Sequence, residues 1–412
     1  MKNRWILLSM LLGAFLLNGC IGPDKEGWRY GQKNEFLNLL AEDKYLSICD
    51  SRGLYEQIRE NRNSILMSRM LVEYAKNLTH GCIDLDAFNE VQAHKKRRGV
   101  ESVYEVYTQE VDQKNIQMQL RAGLSIEQIL SPYVPKNEQF SKLLKVYHSS
   151  EYNLTTAQKA KVRLNIERVK LMNRRLGNDY ALVNIPEFMV RLKHHNVTDL
   201  KFRVVVGKRK LQTPIFSAPL EYVTLNPQWS VPDSIARKEI IPHLLKDPEY
   251  LKKKRMVVRT NYNLTSKELN VTEEVLSEYV GGKGEVPFKF IEVPSRWNGL
   301  GRVKFIFPNQ YSVYMHDTQS KGLFRRKVRT YSHGCVRLQK PQEMLKYIAT
   351  HYTDEAYETV QHWYKSFKTH HLKLTKPLVV HTAYLTSYVD EEGTLGMFND
   401  IYGYDKIQKL NF

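Results

Sequence analysis

Tyr331-Ser332-His333-Gly334-Cys335-Val336-Arg337 is the stretch that decides how the rest of the chain is organised. A cysteine follows a glycine directly, with a histidine two residues before it and an arginine two after. A second histidine stands upstream, in Tyr314-Met315-His316-Asp317. A thiol reacts as its thiolate, and an unassisted cysteine is mostly protonated at neutral pH. An imidazole within reach takes that proton, and a third group must orient the imidazole. Gly334 lets the backbone approach a substrate closely, so its N–H and that of Cys335 can hold an oxyanion. A cysteine with a histidine is common; the complete string with the upstream His-Asp is far more specific.

Outward from this stretch, short β-branched and aromatic runs alternate with Pro, Gly and Asn from Tyr180 onward. The runs are Tyr180–Ile185, Lys201–Val206, Tyr222–Leu225, Val303–Phe307, Ser312–Met315 and Val379–Leu385. This texture predicts an all-β sandwich or barrel. Residues 233–297 interrupt it with charged helical sequence, including Glu268–Tyr279. Residues 341–370 return to helix, and Val389-Asp390-Glu391-Glu392-Gly393-Thr394 reads as a hairpin turn into a closing strand. Residues 36–175 read helical. Met67, Met70, Leu71, Tyr74 and Leu78 form an apolar stripe after a cap at Asn63 or Ser64. Ser125 and Gln128 form a capping box; Pro132 and Pro135 end that helix. Phe140, Leu143, Leu144 and Tyr147 mark another, and Thr155-Thr156 open a last one bearing Val162, Ile166 and Val169. The expected class is α+β: a mostly helical N-terminal domain, then an all-β sandwich with a helical insertion.

The chain has 412 residues, 42% of them hydrophobic, and a formal charge of +18. That is enough for a substantial core and about two domains. The charge favours an anionic partner, though His94-Lys95-Lys96-Arg97-Arg98 and Lys252-Lys253-Lys254-Arg255 are each read as solvated surface. Lys2 and Arg4 precede an apolar run, Trp5 to Leu17, too short for a comfortable membrane span. Leu17-Asn18-Gly19-Cys20 then reads as a lipobox. Residues 1–19 are thus expected to be a lipoprotein signal peptide, Cys20 the lipidated residue and 20–35 a polar tether. Export argues against nucleic acid and for a wall or membrane surface. A plain secretory signal with a cysteine near its end is the alternative; by resemblance to lipoprotein sorting, Ile21 after the cysteine lacks the acidic retention signal, which slightly favours the outer membrane, facing the periplasm. Of the four cysteines, Cys49 and Cys82 remain; in an oxidising compartment a disulfide between them is the economical expectation, two free buried thiols the alternative.

The string Ser332–Arg337 with His316-Asp317 resembles the active-site motif of the L,D-transpeptidases, the YkuD-type cysteine enzymes that remodel bacterial peptidoglycan. Leu182–Phe188, Val204–Lys208, Thr213–Phe216, Leu225–Trp229, Ile235–Glu239 and Leu300–Phe305 follow in the order that family shows. The similarity is to its large multi-domain subgroup and covers roughly residues 160–405. It implies a helical scaffold domain over 36–175, a catalytic domain over 176–405, and a lid in the insertion at 233–297. A separate peptidoglycan-binding module, frequent in the subgroup, finds no room here.

The resemblance further implies that Cys335 forms a thioester with a tetrapeptide stem of peptidoglycan, releasing D-alanine. His316 is the expected base, oriented by the backbone carbonyl of Asp317, and Gly334 contributes to the oxyanion site. Tyr314, Ser332, His333 and Arg337 are the expected substrate-contacting residues. His333 is the alternative base, and an internal salt bridge is the alternative role for Arg337. The acceptor is a diamino-acid amine of another stem, water, or a protein amine. No cofactor and no metal is expected; His316, His333 and Cys335 as zinc ligands lack any familiar spacing. A non-catalytic wall-binding lipoprotein is the remaining alternative. The oligomeric state is not legible.

Overall fold

The computed structural model of the chain describes residues 22–411; the expected signal peptide and Cys20 lie outside the described residues. Helices α1 (Tyr30–Glu42), α2 (Arg52–Asn61), α3 (Ser64–His80), α4 (Leu85–Arg97), α5 (Gln113–Ala122), α6 (Ile126–Leu130), α7 (Glu138–His148) and α8 (Thr156–Lys170) come first. Strands β1 (Tyr180–Asn184), β2 (Met189–His194), β3 (Val197–Gly207) and β4 (Ser217–Leu225) follow. Next come β5 (Trp229–Ser230), α9 (Asp233–Ile235), α10 (Ile241–Lys246), α11 (Tyr250–Lys254), β6 (Met256–Arg259), α12 (Glu273–Glu278) and β7 (Lys289–Glu292). The chain then forms β8 (Val303–Ile306), β9 (Met315–His316), β10 (Thr330–Ser332), β11 (Val336–Leu338), α13 (Pro341–Tyr352), α14 (Tyr357–Lys365), β12 (His370–Ala383), β13 (Ser387–Val389), β14 (Leu395–Met397) and α15 (Tyr404–Ile407).

Compactness divides the chain into two units: residues up to Leu78 with Glu110–Val134, and Thr79–Gln109 with Pro135–Asn411. The first is helical. The stripe Met67, Met70, Leu71, Tyr74 and Leu78 is fully buried, and Asn63 Oδ1 accepts the N–H groups of Ile65 and Leu66 at 2.9 and 3.1 Å. The capping box on Ser125 forms as expected. Residues expected in a featureless tether are folded here. Trp28 is buried, stacks on Phe36 and donates its indole N–H to Ser68 Oγ at 2.9 Å. Asp24 accepts the Trp28 N–H and pairs with Lys33. A single anchoring aromatic among polar residues has no period to detect.

The second unit does not start at residue 175, because α4, α7 and α8 belong with the sheet. Buried polar groups on α7 and α8 reach residues far along the chain. Gln139 pairs with both backbone groups of Val389. Arg168 binds Gln408 Oε1 at 2.7 Å and Asp405 at 2.7 Å, and Asn165 binds Thr386. Stripe-reading finds the apolar face of α8 but not these partners. On α7, Val146 is buried where Tyr147 was expected, with Tyr147 half-exposed.

The sheet of this unit is closed rather than open. Its pairings run β3-β11-β9-β8-β4-β12-β1-β2 and return to β3, with β10 beside the far end of β3. The pairs β1–β12, β9–β11 and β3–β10 are parallel; the others are antiparallel. The inward residues Val183, Val190, Val204, Val223, Phe305, Met315, Val336 and Val380 share one core, which Met344, Leu345 and Ile348 of α13 extend. Strand β2 was not expected from its sequence. Met189-Val190-Arg191-Leu192-Lys193-His194 carries two buried cations. Arg191 is held by Glu187 and Glu391, each at 2.7 Å, and Lys193 pairs with Glu138.

The insertion is a small body with its own core. Strands β5, β7 and β6 form a three-stranded sheet, and Val231, Ile240, Ile241, Val258, Leu276, Val286, Phe288 and Phe290 pack together beneath it. It is less helical than its charge pattern predicts: within the expected helix Glu268–Tyr279 only α12 is helical. Trp229 is half-buried against this core. Between α9 and α10, Ala236–Ile240 winds as one π-turn, an arrangement often met at functional sites.

Candidate active site

The site is built by strand alternation. Along Tyr331–Gln339, Ser332, Gly334, Val336 and Leu338 are buried, while His333, Cys335 and Arg337 keep part of their surface in solvent. Along β8, Val303 and Phe305 face the core, so Lys304 faces outward. The register then brings outward residues together: Lys304 on β8 is paired with His316 on β9, and His316 with Arg337 on β11. One step earlier on each chain, Tyr314 precedes Met315 and Cys335 precedes Val336, which are themselves paired. Cys335 and His316 are therefore diagonal neighbours on one face. Such neighbours stand about 7–8 Å apart at Cα, within reach of long or aromatic side chains.

His316 is buried, and its Nδ1–H donates to the Asp317 carbonyl at 2.5 Å. With Nδ1 carrying the proton, Nε2 is the unprotonated nitrogen; the ring also interacts with the Leu300 backbone. Burial, with the positive charges of Arg337 and Lys304, pushes the imidazole down to about 3, so it is neutral at physiological pH. The Asp317 carboxylate takes no part in this: it accepts the N–H groups of Arg302 and Thr318 at 2.9 and 2.7 Å and pairs with Lys321. Gly301, at φ +66°, lies flat against it.

Packing around the Cys335 sulfur pushes its thiol up, opposed by hydrogen bonding at Tyr314 and by the charges of Lys304 and Arg337. Cys335 is the free cysteine among the described residues. Gly334 adopts φ +113°, which disfavours any side chain there. Its carbonyl accepts from Thr213 Oγ1 at 2.8 Å, while its N–H is held loosely, 3.3 Å from Ser332 Oγ.

Ser332 does not face a substrate. It is buried and donates to the Cys335 carbonyl at 2.5 Å, so it staples the turn that carries the nucleophile. His333 points to the insertion, where its Nε2 meets Glu239 Oε1 of the π-turn at 2.7 Å. Arg337 has no ion-pair partner among the described residues, and its Nε is buried without a hydrogen bond. Sequence reasoning missed Lys304 and Glu239. Alternation along Arg302–Phe307 was a signal for the first; nothing local marks the second, which is brought in only by the insertion's fold. Among the described residues no three His, Cys, Asp or Glu side chains gather as metal ligands.

The fold and this face define a β-domain that presents a thiol beside an oriented, neutral imidazole. Residues 178–361 match the family model of YkuD, the L,D-transpeptidase catalytic domain. A curated relative from Haemophilus influenzae, named "Putative L,D-transpeptidase", is 27% identical over 260 residues, covering 63% of this chain and 50% of the relative. The chain thus spans about half the length of that relative. Solved structures with some likeness include an L,D-transpeptidase from Mycobacterium smegmatis (11% identity, 50% of this chain and 58% of that one, TM-score 0.22). Another is the Ldtfm–avibactam carbamoyl enzyme (9% identity, 62% and 93%, TM-score 0.23).

Proposed function

We propose that the protein is a peptidoglycan L,D-transpeptidase with Cys335 as nucleophile. The observation that carries this is the register that makes Cys335 and His316 diagonal neighbours, with Asp317 O fixing the imidazole. His316 Nε2 takes the thiol proton as sulfur attacks the carbonyl of the third residue of a tetrapeptide stem. The N–H of Cys335, with that of Gly334 released from Ser332, holds the oxyanion; each such donor is worth about 10²–10³ in rate. The C–N bond to D-alanine breaks, and the departing amine takes the proton from His316. The side-chain amine of a diamino acid on a second stem then attacks the thioester, losing a proton to His316 and freeing the thiol. Arg337, lacking a protein partner, suits a carboxylate of the stem. Cys20 would carry a lipid and tether the enzyme to the periplasmic face of the outer membrane.

The test is incubation of purified protein with defined tetrapeptide muropeptides, followed by mass analysis of protein and products. An acyl adduct on Cys335 with new cross-linked dimers is expected. Trimmed tripeptides alone would make water the acceptor. No adduct on Cys335, or full activity in Cys335→Ala, would end the proposal.

A further inference from the structure

We infer that Lys304 is the charge-setting residue for the thiol of this site: its ammonium, on the thiol's face of the sheet, stabilises the Cys335 thiolate as it forms. The inference rests on Cys335 being the nucleophile proposed above.

Lys304 occupies a central place in a cross-strand row. Thr224 of β4 is on one side of it and His316 of β9 on the other, with Arg337 of β11 next in line. Its Nζ lies 3.9 Å from the centre of the Tyr314 ring, and the Tyr314 hydroxyl interacts with the Cys335 thiol. Around Lys304, then, stand His316 of β9 with Tyr314 just before that strand, Arg337 of β11 with Cys335 just before it, and Thr224 of β4. Thr224 is itself bonded to His371 of β12. From the insertion, Glu239 acts on this row through Arg337.

No carboxylate pairs with Lys304 among the described residues. A largely desolvated ammonium without a counter-ion is costly to keep. The charge that does favour it is the Cys335 thiolate. Reciprocally, the positive charge of Lys304 favours that thiolate more than Arg337 does, whereas at His316 burial and Arg337 outweigh Lys304. A low-dielectric setting makes such a charge effective. The competing role is packing alone, with the lysine stem lying across Tyr314. A cation without an acid partner gives no reason to prefer lysine over methionine in that role.

The experiment follows iodoacetamide alkylation of Cys335 in the full-length protein between pH 5 and 10, read by mass on the Cys335 peptide. Lys304→Met is expected to alkylate about tenfold more slowly at pH 7, with the inflection moved to higher pH, since one tenfold step corresponds to about 1.4 kcal/mol of lost charge stabilisation. Lys304→Arg is expected to restore the wild-type profile. If Lys304→Met loses its circular dichroism signal or melts early, Lys304→Gln carries the same expectation. A folded neutral variant whose profile overlays the wild type overturns the inference, as does a Lys304→Arg profile that follows Lys304→Met. Because the readout is the thiol itself, it holds whether or not muropeptides are cross-linked.

Discussion

Replacing Gly301 by alanine tests how the imidazole is held. At φ +66° a Cβ on Gly301 would lie 2.3 Å from both Cγ and Oδ2 of Asp317, where non-bonded carbons belong about 3.5–4.0 Å apart. The carboxylate cannot simply swing aside, because Arg302 N–H, Thr318 N–H and Lys321 hold it on three sides. The turn cannot easily withdraw either, since Gly301 N–H donates to Asn298 O at 2.8 Å. Overpacking and the left-handed backbone together cost about 2–4 kcal/mol. Thermal melting is expected to fall by about 3–6 °C. The main chain of Asp317 carries the carbonyl that orients His316, so acylation of Cys335 by a tetrapeptide should slow at least about tenfold from misalignment. Single-turnover acylation, followed by protein mass below the variant's melting temperature, measures this. A variant that melts within 2 °C of wild type, to take about that margin as the noise of the method, and acylates at the wild-type rate would refute the account of Gly301 and Asp317.

Three further outcomes are expected. His316 and His381 are both pushed down to about 3, chiefly by burial, while an unfolded histidine titrates near about 6.5. The unfolded chain then binds extra protons between those values, so stability falls with falling pH below about 6.5, by about 1.4 kcal/mol per pH unit for each histidine. Urea denaturation from pH 7 to 4 should show the slope, reduced in His381→Gln; an equal slope in that variant contradicts the assignment. Arg191→Met leaves Glu187 without its cation, while Lys201 still holds Glu391, and chemical denaturation should register about 1.5–3 kcal/mol of lost stability; a loss under about 1 kcal/mol is incompatible with that. Glu239→Ala removes a half-exposed contact to His333, so overall stability should change by about 1 kcal/mol or less. Hydrogen exchange across Asp233–Lys246 should nonetheless quicken, and unchanged exchange would mean this contact does not restrain the insertion.

Much of this molecule is legible one residue after another. Alternation of β-branched and aromatic residues marked β1, β3, β4, β8 and β12, and helical stripes with their caps marked α3, α6 and α8, because those patterns follow from backbone periodicity and local hydrogen bonding alone. The Ser332–Arg337 string and His316-Asp317 pointed to thiol chemistry since the residue types themselves carry it. What lay beyond the sequence were partners distant along the chain. Arg191 and Lys193 sit in a strand because Glu187, Glu391 and Glu138 arrive to neutralise them. Trp28 packs within the first unit and α8 within the second, each through contacts inside that unit that no local period records. Closure of the sheet, the outward row of Lys304, His316 and Arg337, and the meeting of Glu239 with His333 exist only once strand register is set. Register is a relation between segments, decided by which faces can share a core, and tertiary structure alone makes that choice.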